Sequence, residues 1–161
     1  MAARLKGSVR RQAKGDHVSD IDKLKFQFWD GAGTVESLIQ RWQPQNCKTE
    51  KDYENSLYDF LHRELPDIQI TKQFAKGRVR ADILISDNVV LELKNNLDST
   101  AKYQRLLGQL AELKGWKGKI IVLLCGNTDP NLAKALRTHV KDWMGDLFII
   151  DSKVSVIEKY G

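Results

Sequence analysis

The sequence predicts an α/β domain in which a mixed β-sheet, with an αβββαβ core, is flanked by helices. Three observations carry that expectation. Segments 68–75, 78–86 and 89–94 are strand-like and follow one another with only short turns between them, so antiparallel pairing is their natural arrangement. A helical stripe then leads into "KIIVLLCG", residues 119–126, a continuous apolar run of the kind buried on both faces of a sheet. A hydrophobic share of 42% beside a charged share of 29% belongs to a folded globular chain rather than a disordered one.

The elements follow in order. Residues 1–20 read as a flexible basic arm, and 21–161 as a single domain whose core spans about 49–126. The first fourteen residues hold Arg4, Lys6, Arg10, Arg11 and Lys14 without an acid, which accounts for the whole formal net charge of +5. Such an arm suits a phosphate backbone, although a solubilising tail has the same composition. "KLKFQFWDGAG" alternates Leu24, Phe26 and Phe28 before a Gly-rich turn and reads as a short strand or an ordered arm. Thr34 offers an N-cap for a helix through Trp42, with Leu38, Ile39 and Trp42 on one side.

A second helix runs from about Thr49 to Leu65, stopped by Pro66, with Leu57, Phe60, Leu61 and Leu65 as its apolar face. After the three strands, Asp98, Ser99 and Thr100 offer caps for a helix through about Lys114, striped by Tyr103, Leu106, Leu107, Leu110 and Leu113. Asp129-Pro130 opens a fourth helix to Met144, and "DLFIID" and "VSVIEKY" finish the chain as strands that can extend the sheet.

Some function classes drop out. No apolar run exceeds "IIVLLC", so nothing is expected to span a bilayer, and a start without an apolar stretch points away from secretion. An Arg-rich, acid-free start also fits an organellar transit peptide, but the cytoplasm is the expected compartment. Cys47 and Cys125 have no metal or redox spacing, and His17, His62 and His139 no ligand spacing, which leaves zinc without a site.

The chemistry concentrates in "RADILISDNVVLELKNN", residues 80–96, where Asp, Glu and Lys interrupt two apolar strands. Unpaired charge is expensive there. Strand parity puts Asp82 on the face of Leu84, and Glu92 and Lys94 on the face of Val90. A two-residue loop at Asp87-Asn88 would set Asp82 and Glu92 on opposite faces. A three-residue loop, Ser86-Asp87-Asn88, sets them directly across from each other, with Asn88 supplying the left-handed residue at its end. We expect the three-residue loop. Two opposed carboxylates repel unless a cation lies between them, and hard oxygen ligands suit Mg²⁺, or Mn²⁺ in its stead. Glu54 lies on or beside the inward stripe of the second helix and is the candidate third acid, with Glu50 and Glu64 as weaker alternatives. Arg78 and Arg80 enter the strand just before Asp82, where they reach phosphate or simply meet solvent.

These residues resemble the PD-(D/E)XK nuclease superfamily, the restriction-endonuclease-like fold that Holliday-junction resolvases share. The resemblance runs over roughly Thr49 to Gly126, and its motif reads Ala81-Asp82, nine intervening residues, then Glu92-Leu93-Lys94. Ala81 stands where the motif has proline. The resemblance implies a Mg²⁺-dependent endonuclease that leaves 5′-phosphate and 3′-hydroxyl ends. Asp82, Glu92, the Leu93 carbonyl and Glu54 would hold the metal, and Lys94 would orient or deprotonate the attacking water. It further implies a glutamine on the next helix, for which Gln104 and Gln109 both stand. The implied partner is nucleic acid, DNA ahead of RNA, with a homodimer where both strands are cut. Two rivals remain: a catalytically silent nucleic-acid-binding or assembly module of the same fold, and an RNA-directed nuclease.

Overall fold

The computed structural model describes residues 31–143 and 154–159. The basic arm, the strand expected over 24–28, the strand expected over 146–151 and residue 144 lie outside the described residues.

Helix α1, Gly31–Arg41, buries Val35, Leu38 and Ile39, and Trp42 packs just beyond its end. It starts before the expected cap: Thr34 is inside the helix, and the Gly-rich stretch expected as a turn forms its first residues. Val35 is helical with either start, so its burial does not depend on a cap at Thr34. Helix α2, Glu50–Glu64, is fixed at its start by a capping box, in which Thr49 accepts from the Asp52 N–H and the Asp52 carboxylate accepts from the Thr49 N–H. Leu65 closes it, and Pro66 follows.

Strands β1 (Ile70–Lys76), β2 (Val79–Ile85) and β3 (Val89–Asn95) run antiparallel in sequence order. Helix α3, Thr100–Glu112, capped by Ser99, carries the chain to β4, Lys119–Cys125, parallel to β3. Helix α4, Pro130–Trp143, leads toward β5, Val154–Lys159, parallel to β4. The result is a five-stranded mixed sheet in the order β1-β2-β3-β4-β5.

Two apolar layers cover the sheet. On one face, Ile83, Ile85, Leu91, Leu93, Ile121 and Leu123 pack against Val35, Ile39, Leu57 and Leu61 of α1 and α2. On the other, Leu84, Val90, Ile120, Val122 and Leu124 meet Leu106 and Leu110 of α3 and Leu136 of α4. Burial on both faces explains why β4 reads as an unbroken apolar run. No helix among the described residues is long and apolar enough to cross a membrane.

Candidate active site

The β2–β3 register decides whether the charged residues meet. Ile83 pairs with Leu91, Leu84 with Val90 and Ile85 with Val89, which sets Asp82 across from Glu92 and makes the loop Ser86-Asp87-Asn88. The left-handed residue is Ser86, at φ 52, rather than Asn88. The cause is local. The Ser86 N–H donates to the Gln69 carbonyl at 2.7 Å, turning the chain at once, while the Asn88 carbonyl accepts from the Lys119 N–H and Trp116 Nε1 at 3.0 and 3.1 Å.

The ladder between β2 and β3 ends at Ile83 and Leu91. Beyond it, the Asp82 side chain replaces a strand partner: its Oδ2 accepts from the Leu93 N–H at 2.7 Å. A strand residue's N–H and C=O leave by the same edge, so the Leu93 carbonyl faces the same gap. Glu92 is 3% exposed, and no hydrogen bond reaches its carboxylate from the described residues. Lys94, 7% exposed, places Nζ 3.1 Å from Glu50 Oε2, the same oxygen that accepts from the Asn95 N–H at 3.2 Å. Glu54, 3% exposed, accepts from Lys51 Nζ at 3.0 Å and from Gln73 Nε2 at 2.7 Å.

Groups from both faces of the sheet thus come within electrostatic reach where β2 and β3 part. Burial pushes the Asp82 carboxyl up to about 6; the Leu93 N–H and Lys94 work against that, and Glu50 and Glu54 add to it. Burial and the facing Asp82 push Glu92 to about 9, despite Lys94. Without a cation, the pair holds a proton at neutral pH.

No family model, curated protein or solved structure matches this chain.

Asp82, Glu92, Arg80 and Gln109 line one cleft of about 420 Å³, together with Gln73 and Glu112. Gln109 Oε1 is buried there without a hydrogen-bond partner, an acceptor awaiting a donor. Gln104 is exposed on α3 and does not line this cleft. Helical spacing explains the difference, because five residues separate the two glutamines and turn them to different sides. Arg78 is exposed in the two-residue β1–β2 loop, beyond the cleft lining, and Glu64 faces Arg41 and Arg63 at the far end of α2.

The expected four-ligand metal shell is not preassembled. Among the described residues, no group of three or more His, Cys, Asp or Glu side chains stands close enough to hold a metal. The reason is visible at Glu54, whose oxygens are already engaged by Lys51 and Gln73. The Asp82–Glu92 pair does fit a cation by its chemistry: two opposed oxygen donors, Asp82 half-buried and Glu92 buried, the latter without any hydrogen bond from the described residues.

Three residues here were underrated or missed in the sequence. Glu50 ranked behind Glu54, yet it grips Lys94; its i,i+4 spacing from Glu54 was the available signal. Glu112 adds to the upward shift of Glu92 and follows Gln109 by three residues on the same side of α3. Gln73 had no sequence signal, because a mid-strand glutamine looks solvated.

Proposed function

We propose that this chain is a metal-dependent nuclease with a restriction-endonuclease-like fold, hydrolysing phosphodiester bonds of nucleic acid, DNA ahead of RNA. One observation carries the reading: Asp82 and Glu92 stand opposed at a break in the sheet, with Lys94 anchored beside them. The order of the elements and the antiparallel-to-parallel change at β3 agree with that fold.

Asp82, Glu92 and the Leu93 carbonyl would hold the cation. Bound there, a divalent ion supplies positive charge to a phosphoryl oxygen and eases ionisation of water. Glu50 keeps the Lys94 ammonium at the mouth of the gap, where it donates to water or to a phosphate oxygen. Arg80 offers a charge-assisted hydrogen bond to phosphate at the cleft rim. Water adds to phosphorus, the 3′-oxygen leaves and takes a proton, and the products are a 5′-phosphate and a 3′-hydroxyl.

The test is a panel of linear, nicked and four-way DNA and a matching RNA, each with Mg²⁺, comparing the wild type with Lys94→Ala. Cleavage by the wild type should fall at least about 100-fold in the variant, the scale on which a positioned proton-transfer group acts. Equal cleavage removes Lys94 from the mechanism. A second reading, binding without cleavage, draws on the engagement of Glu54 by Lys51 and Gln73. Wild-type protein that binds the panel and cuts none of it, with no Mn²⁺ uptake by calorimetry, would establish that reading instead.

A further inference from the structure

The β1–β2 hairpin is charged in one sense only. From Thr71 to Ala81 it holds Lys72, Lys76, Arg78 and Arg80 and no acid. Lys72 is spoken for by α2: its Nζ lies 3.1 Å from Asn55 Oδ1 and 4.6 Å from the centre of the Tyr58 ring. Lys76, Arg78 and Arg80 are exposed, and none of them forms an ion pair among the described residues. Gly77, at φ 63, makes the tight two-residue loop between them.

The hairpin also changes sides. Gln73 has φ 54, a left-handed conformation in the middle of a strand. Pairing steps from Lys72–Ile83 to Phe74–Ala81 and leaves out Gln73 and Asp82. Before the kink, Lys72 touches α2 and Ile83 belongs to the α1/α2-side core. After it, Phe74 packs edge-on against Trp116 at 6.1 Å, and Ala81 joins the α3-side core. The outer half of the hairpin is therefore turned over the cleft that Asp82 and Glu92 line, while the Gln73 amide is fastened to Glu54. Non-glycine residues held in such a conformation cluster at active sites and ligand clamps.

We infer that the turned-over half of this hairpin is a clamp for the phosphate backbone of a nucleic-acid strand. Lys76, Arg78 and Arg80 neutralise successive phosphates leading away from the bond seated between Asp82 and Glu92. Along β2, Arg80 stands roughly 6.6 Å out from Asp82, and Arg78 follows in the loop beyond, further from the acids. The grip is by charge, so it does not depend on base sequence. It rests on reading the cleft as the nuclease site.

The experiment measures binding of labelled duplex and single-stranded oligonucleotides to the full chain by fluorescence anisotropy, in EDTA so that nothing is cut, over a range of salt. Each phosphate left without its cation should lower the slope of log affinity against log salt by about 0.9 for duplex and about 0.7 for a single strand. The Lys76→Ala/Arg78→Ala double variant should therefore lose a slope of about 1.8 or about 1.4, provided its melting temperature matches the wild type. A drop for only one form assigns the clamp to that form. A control of equal charge, Lys134→Ala/Lys141→Ala on the exposed side of α4, should leave the slope unchanged. Equal slopes for the hairpin variant and the wild type, or equal drops in variant and control, overturn the clamp. If that wild type still cleaves with Mg²⁺, the nuclease reading stands. A wild type that binds neither oligonucleotide overturns the clamp, and it overturns the nuclease reading as well only if it also cleaves nothing with Mg²⁺.

Discussion

Glu92 is the residue on which the physics presses hardest. It sits 3% exposed, faces another carboxylate and has no hydrogen bond from the described residues to share its charge. Its raised value near 9 and that of Asp82 near 6 mean that the folded chain keeps protons the unfolded chain has lost above about pH 4.5. The sign follows: these acids favour folding at the acid end, and that contribution fades as pH climbs through 6 and then 9. In EDTA, the melting temperature should decline between pH 5 and pH 8.5, and Glu92→Gln should flatten the decline. Differential scanning calorimetry of the two proteins checks this, and parallel curves would count against the burial of Glu92. Added Mg²⁺ should stabilise the wild type more at pH 8.5 than at pH 5, since the ion competes with protons for the same oxygens. At this scale the sequence was legible for Asp82, Glu92 and Lys94, because strand alternation together with a three-residue loop aligns them. Glu50 and Gln73 were not, since their partners Lys94 and Glu54 come from other elements.

At the scale of the element, α2 is the piece that brings distant chemistry to the strands. Its start is fastened by the Thr49–Asp52 capping box, and the next residue, Glu50, reaches Lys94 and the Asn95 N–H. The cap thus sets the height at which Glu50 meets β3. Thr49→Ala should cost about 1 kcal/mol, read as a lower urea midpoint at constant slope. Helices α2 and α3 were legible from apolar spacing and their flanking residues: α2 begins next to Thr49, close to the expected start, and α3 is capped by Ser99, one of the three residues that offered a cap. Helix α1 is longer at its start than expected, beginning at Gly31 and taking Thr34 inside it, while Val35, Leu38 and Ile39 are buried as one face in either case. The three-residue hairpin loop was legible in its length and not in its backbone. Hydrogen bonds with groups outside the hairpin, from the Ser86 N–H to the Gln69 carbonyl and to the Asn88 carbonyl from Lys119 of β4 and Trp116, decide which residue turns.

For the molecule as a whole, β4 is the beam between the layers, carrying Leu123 into one core and Val122 and Leu124 into the other. Leu123→Ala should cost about 2–5 kcal/mol, a loss measurable by chemical denaturation and felt by Leu93, its neighbour across the parallel ladder. Because Leu93 lends its N–H to Asp82, such a cavity should also loosen the acids, while a surface change of the same size on α4 should not. Charge is distributed at this scale too. With the first fourteen residues set aside, the chain is balanced, yet the β1–β2 hairpin gathers cations beside a cleft of acids.

By itself, the sequence determined the α/β class of the fold, the order of the elements along the chain from α2 to β4, the length of the hairpin loop and the facing of Asp82 and Glu92. Each of these follows from periodicity and local turn chemistry, which neighbouring residues settle among themselves. Tertiary structure decided that Glu50 holds Lys94, that Glu54 is engaged by Lys51 and Gln73, that Gln109 rather than Gln104 enters the cleft, and that the hairpin turns over at Gln73. Those outcomes depend on the angle and height at which α2 and α3 pack on the sheet, and packing is set by the whole core at once.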